Sequence, residues 1–158
     1  MTERPWYEGE PVPALMRAAR GSYGDAARRA LAEAGFDDVP QNGGFVLAGL
    51  DQGWPDPIFT AQSDAVAFLR LSKQRSSQLI DTLVLRGYLE RRIDPEDRRR
   101  MGIRLTERGH AAAAAIQAGV DGIDVQLEQR LSAEELHGLR AGLAALAEIR
   151  EEGDAADV

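Results

Sequence analysis

Between Ser72 and Ile80 the chain carries no acidic residue. A helical repeat through this stretch sets Lys73, Gln74, Arg75, Ser77, Gln78 and Thr82 on the side away from Leu79, Ile80 and Leu83. Cations, amides and hydroxyls of this kind bind phosphate or pair with base edges: a glutamine amide makes two hydrogen bonds to adenine, a guanidinium two to guanine. An ordinary exposed helix carries Glu–Lys pairs instead. Further along, Arg98, Arg99 and Arg100 follow the proline-containing acidic turn DPED. Both clusters suit a polyanion, and their residue types suit duplex DNA.

No other chemistry has comparable support. There is no cysteine, so disulfides, thiolate metal sites and thiol redox sensing are excluded. His110 and His137 stand alone, without the His-x-x-x-His spacing that gives a transition metal two ligands from one helix face, and are expected at a surface or an interface. No glycine-rich phosphate loop and no G-x-S-x-G elbow occurs. We therefore expect neither an enzyme nor a metal sensor, and no cofactor. The opening MTERPWYEGEP is acidic and proline-broken, unlike a signal peptide, and no apolar run approaches the roughly 20 residues that span a bilayer. The expectation is a cytoplasmic protein without a membrane partner.

The net charge of −7 conceals a division. From residue 70 to 108 there are eleven cations against six acids, a net +5; the remaining eight cations and twenty acids give −12. A basic island on an acidic body can neutralise phosphates locally. A short charge run is as often a solvated face, so the elements that carry the charges must decide.

Residues 1–11 read as a flexible arm. Alanines and leucines at helical spacing predict a helix over 12–34, interrupted by Gly21 and Gly24 and stopped by Gly35. Pro40 is placed to open a second helix to about residue 50. Two prolines make 51–60 a loop, with a short extended piece at 58–60. A short helix is expected over 61–70, then a helix capped by Ser72 and stopped by Gly87. Alternation over 88–93 and 101–106 around the turn 94–99 predicts a β-hairpin. A long helix follows from Thr106 through the alanine run 111–115, and the capping box Ser132–Glu135 opens a last helix bearing Leu136, Leu139, Leu143, Leu146 and Ile149. Residues 151–158 read as a disordered tail. Helix, tight turn, capped helix and basic-tipped hairpin, in that order, make a winged helix-turn-helix in a mainly α fold.

The stretch LRLSKQRSSQLIDTLVLRGYLERRIDPEDRRRMGIRLTERG (69–109) resembles the core of MarR-type regulators. The resemblance is carried by Leu71-Ser72, Leu79-Ile80-Asp81, Arg86-Gly87-Tyr88-Leu89-Glu90-Arg91, Asp94-Pro95-Glu96-Asp97-Arg98-Arg99 and Leu105-Thr106-Glu107-Arg108-Gly109. It implies a homodimer held by helices over 12–39 and 106–150, with a DNA-binding lobe over 40–105 and a near-palindromic operator as partner. It also implies that Arg98 and Arg99 meet the minor groove or its phosphates, that Gln74, Arg75, Ser77 and Gln78 face the major groove, and that Asp81 orients a wing arginine. Asp97 takes either a similar orienting role or that of a turn residue bonded to nearby amides. Arg70 stands where the family usually has glycine, and adds a candidate phosphate contact. The family implies a small aromatic effector as a further partner; Tyr23, Phe36, Phe45, Trp54 and Phe59 are the aromatics placed to line its cleft, against the plain reading that they are core. A repressor is the leading reading. A ligand-independent DNA-binding activator and a winged-helix protein-interaction module that never meets DNA are the alternatives.

Overall fold

In the computed structural model, residues 5–53, 60–61, 72–93, 98 and 101–156 are described. The chain divides into two compact units, Met1–Asp121 and Gly122–Val158.

The first unit opens with a 3-10 turn, Trp6–Gly9, inside the segment expected to be a flexible arm; the Trp6 and Tyr7 rings meet edge to face, 6.0 Å apart, and both are exposed. Helix α1 (Val12–Glu33) is continuous through Gly21 and Gly24. It ends where Gly35 turns left-handed, with the Phe36 amide donating back to the Leu31 carbonyl at 2.8 Å. Helix α2 (Gly43–Asp51) starts three residues later than Pro40 suggested, because Asn42 takes a left-handed conformation and the Gly43 amide closes a turn onto the Pro40 carbonyl at 2.8 Å.

Strand β1 (Thr60–Ala61), helix α3 (Lys73–Leu85) and strands β2 (Leu89–Ile93) and β3 (Met101–Leu105) follow. The predicted hairpin is formed by β2 and β3, in antiparallel register from Leu89 opposite Leu105 to Ile93 opposite Met101. The sheet has a third strand: β1 pairs with the other edge of β3, giving the order β1-β3-β2. Ala61, expected to begin a helix, therefore ends a strand. The rest of the helix expected over 61–70 lies outside the described residues.

Helix α3 is fixed at both ends by the residues its sequence suggested. The Ser72 hydroxyl oxygen accepts from the Arg75 amide at 3.3 Å. At the other end Gly87 is left-handed, φ 76°, its amide bonds the Val84 carbonyl, and the Tyr88 amide bonds the Leu83 carbonyl at 2.9 Å. This double return of the chain drives Tyr88 into the core beside Leu83, both fully buried. Around them close Leu47 of α2, Ile80 of α3, Leu89 of β2, Ile103 and Leu105 of β3, and Ala112, Ala113 and Ile116 of helix α4 (Glu107–Glu128). Part of the alanine run thus serves as a thin buried face, while Gly119 brings α4 against α1: a Cβ there would lie 2.8 Å from the Ala26 carbonyl oxygen.

In the second unit, helix α5 (Ala133–Ala156) opens on the predicted capping box. The Ser132 hydroxyl accepts from the Glu135 amide at 3.3 Å, and the Glu135 carboxylate accepts from the Ser132 amide at 2.8 Å. The Ser132 hydroxyl also donates to that carboxylate at 2.7 Å, and this bond, with the one from the Ser132 amide, holds the Glu135 carboxyl below its usual range. The helix continues to Ala156, into the segment expected to be a disordered tail. No helix among the described residues is long and apolar enough to cross a membrane.

Candidate nucleic-acid interface

Helix α3 buries Ser76, Leu79, Ile80 and Leu83, the i, i+3, i+4, i+7 stripe of a helix lying on a core. The stripe begins one turn earlier than the apolar residues alone indicated, since Ser76 is completely buried. Lys73, Gln74, Arg75 and Gln78 are exposed, as are Asp81 and Arg98, while Ser77 and Thr82 are half-buried. Thr82 spends its hydroxyl proton on the Gln78 carbonyl, at 2.7 Å, so its role as a donor to a ligand is already taken within the helix. Arg70, Asp97, Arg99 and Arg100 lie outside the described residues.

The cations of the basic island fall into two groups. Arg91 of β2 is paired with Asp81 of α3, tying that helix to the hairpin. Both partners are substantially exposed, so the pair contributes about 0–1 kcal/mol to stability. Glu90 and Arg104 lie opposite each other in the β2–β3 register and form a cross-strand ion pair, with Arg92 3.4 Å from the same carboxylate. The Arg104 hydrogen bond is the main reason the Glu90 carboxyl stays below its usual range. Lys73, Arg75 and Arg98, by contrast, have no acidic partner among the described residues. Charge counting treated all eleven cations alike. Among the described residues, the uncommitted ones are Lys73 and Arg75 at the start of α3 and Arg98 at the wing.

Sequence reasoning missed Asp38, in the turn after α1. Its carboxylate accepts from the Tyr88 hydroxyl and from Arg108 Nη2 at 2.9 Å, and its carbonyl accepts from Arg86. The Arg108 guanidinium lies over the Tyr88 ring, 4.6 Å from its centre, and over Phe36 at 5.7 Å. The Tyr88 hydrogen bond, helped by the charge of Arg108, holds the Asp38 carboxyl low; burial, and then the bond to Asp38, push the Tyr88 hydroxyl up. An aspartate in the sequence FDDVP, beside a second aspartate, carries no periodic or motif signal that would single it out.

These lowered carboxyls have a consequence in acid. A carboxyl that ionises more readily folded than unfolded leaves the unfolded chain binding more protons near its titration, so stability rises with pH there. Asp38 and Glu90 therefore stabilise the fold above the ordinary carboxylate range, and that contribution disappears as pH falls below about 4. Combining Asp38→Asn with Glu90→Gln should flatten the acid limb of the stability curve measured by urea unfolding between about pH 3 and pH 6. An unaltered limb would mean that these ion pairs do not bias folding.

The aromatics expected to line an effector cleft are dispersed in role. Phe36 is half-buried, edge-on to Tyr88 at 6.2 Å and beneath Arg108, a packing position. Tyr23 is half-buried on α1 and Phe45 exposed on α2; Trp54 and Phe59 lie outside the described residues. His110 Nδ1 is 2.7 Å from the Asp51 carboxylate, linking the start of α4 to the end of α2, and His137 is exposed on α5. Among the described residues no group of three or more histidines and acids could hold a metal ion.

Comparison with known proteins bears on this geometry. Residues 55–100 match the family model described as MarR family. A search of curated proteins finds no match. Among solved structures the chain is similar to S. aureus MepR in its DNA-binding conformation, with a TM-score of 0.70 at 24% identity over 88% of this chain and 98% of that one. The S. aureus MepR–DNA complex gives 0.69 at 24% identity over the same shares. S. aureus MepR bound to ethidium bromide gives 0.60 at 23% identity, over 88% and 96%. At these identities the likeness is one of fold.

Proposed function

We propose that the chain, whose residues 55–100 match the MarR family model, is a transcriptional regulator of that family, more specifically a repressor, that grips a near-palindromic duplex operator as a homodimer. The observation that carries this reading is the face of α3: exposed Lys73, Gln74, Arg75 and Gln78 without an acid among them, on a helix held by a buried stripe. A helix so presented fits the major groove, and Arg98 on the adjoining wing is within the reach of a neighbouring phosphate or minor groove in this mode of docking. Ser77, Thr82, Arg70, Ser72, Arg99 and Arg100 complete the proposed contact set.

Homodimerisation is supported by the apolar side chains that one copy leaves in water. On α5, Leu139, Leu143, Leu146 and Ile149 recur at helical spacing and are all exposed. Such a stripe is the signature of a helix that packs on a partner, and a two-fold dimer presents two recognition helices to a two-fold operator. A solution mass of twice 17.2 kDa is expected. Release by a small aromatic effector is consistent with the MepR–ethidium structure, to which this fold is similar, and an effector acts by favouring one spacing of the recognition helices over another.

Binding of the full chain to duplex DNA, followed at low salt by fluorescence anisotropy, tests the proposal. Absence of binding there would leave a protein-interaction module as the better reading. If Gln78 reads a base directly, its replacement by alanine costs roughly 1–3 kcal/mol at one base position and little elsewhere; an equal loss on every sequence would make it a backbone contact. Replacing Arg98 and Arg99 together by alanine weakens binding to all sequences and flattens the salt dependence. Unchanged affinity would remove the wing from the mechanism.

A further inference from the structure

Three side chains, Arg86, Tyr88 and Arg108, meet at Asp38. Its partners occupy the junctions of the DNA-facing unit: Arg86 is the C-cap of α3, Tyr88 is the residue entering β2, and Arg108 lies in the first turn of α4, just beyond β3. The roots of the wing are already joined to each other through Thr106, whose amide donates to the Tyr88 carbonyl at 3.0 Å and whose hydroxyl donates to the Gly87 carbonyl at 2.5 Å. Those bonds join the wing to the end of α3 but leave the joined unit unreferenced to the α1–α2 turn. Side chains supply that reference. The Asp38 carboxylate takes Tyr88 and Arg108, its carbonyl takes Arg86, and Arg108 Nη2 closes the triangle onto the Tyr88 hydroxyl at 3.0 Å. Arg108 is thereby stacked and ion-paired rather than offered to phosphate.

We propose that Asp38 is a positioning residue for DNA binding: from outside the contact surface it holds the end of the recognition helix and the root of the wing in one orientation. The assignment rests on the reading of α3 and the wing as the DNA-contacting elements. It makes a prediction opposite in sign to simple electrostatics. Removing an acid from a protein that binds a polyanion should tighten binding, more so when it releases an arginine. Loss of a positioning residue should weaken it, because misdirected contacts lose their geometry while their number stays the same.

The experiment uses the full chain with two duplexes of equal length, one recovered from a random-sequence library by selection on the wild type and one of mixed sequence. Asp38→Ala is compared with Asp37→Ala, which removes the same charge from the neighbouring exposed position. For Asp38→Ala the expected result is about tenfold weaker binding to the selected duplex, on the scale of losing charged hydrogen bonds. The preference over mixed sequence should shrink, and the slope of log K against log salt should not flatten. Asp37→Ala should bind as the wild type or slightly tighter. Asp38→Asn retains an acceptor for Tyr88 and should recover part of the loss. It also serves as the reporter if the alanine variant fails to fold, and must then itself weaken the selected complex by at least about twofold. Asp38 variants that fold and bind as tightly as Asp37→Ala overturn the assignment while leaving the DNA-binding reading intact. A wild type that binds neither duplex overturns that reading and the assignment with it.

Discussion

Replacing Gly109 with alanine is expected to destabilise the fold by about 3 kcal/mol, the upper end of the usual cost of overpacking. Helix propensity alone predicts the reverse, a gain of about 1 kcal/mol for the same change inside a helix. Gly109 is buried in the first turn of α4, and a Cβ there would lie 2.2 Å from the Tyr88 carbonyl oxygen and 3.0 Å from Leu105 Cδ2. The carbonyl cannot yield freely, because it accepts the Thr106 amide that joins the wing root to the end of α3. The added methyl must therefore push α4 off the hairpin or break that joint. Thermal and urea unfolding of the single variant give the sign directly, and stabilisation would show that the close approach of α4 to Tyr88 is not required by the native state.

The largest expected effect on binding follows from replacing Lys73 and Arg75 together by alanine. Both lie in the first turn of α3, where the free amides and the helix dipole already favour an anion. Neither is committed to an acidic partner among the described residues. Loss of two such phosphate contacts should reduce affinity roughly 10- to 100-fold near 0.1 M salt and reduce the magnitude of the log–log salt slope by about 2 for each protomer. Removing the Glu90–Arg104 pair as a unit is the matched comparison. That arginine is neutralised across the hairpin before DNA arrives, so the slope should hold. If deleting the paired arginine with its glutamate flattens the slope as much as deleting Lys73 and Arg75, the division of the basic island into committed and uncommitted cations is wrong.

Local rules made α3 and the hairpin legible in the sequence: Ser72 and Gly87 are end signals with a backbone mechanism, and alternation over 88–93 and 101–106 marked two paired strands, although only their Leu89, Ile103 and Leu105 end is covered while Ile93 and Met101 stay exposed. The capping box at Ser132 was legible for the same reason. Long-range pairing was not. Whether Arg104 or Arg108 is available to a ligand depends on Glu90 and Asp38, distant by as many as 70 residues in the chain, and periodicity says nothing about such partners. Ser76 looked polar because composition does not reveal burial. An extended piece was expected at 58–60, and Thr60 does lie in β1, but its pairing with the edge of β3 escaped because two residues are too few to show a partner. The extension of α5 to Ala156 escaped because an acidic, glycine-containing sequence has weak intrinsic propensity and helix length is decided by more than propensity.

The central claim is that a patch of uncommitted cations on α3 and the wing holds the phosphate backbone of duplex DNA. Its most direct test is a salt titration of wild-type binding to a duplex of fixed sequence. Lys73, Arg75 and Arg98 of two protomers account for a linear fall of log K with log salt of slope about −5, and Arg70, Arg99 and Arg100 of the proposed contact set steepen it further. A slope near zero, or no complex even at low salt, would contradict the account.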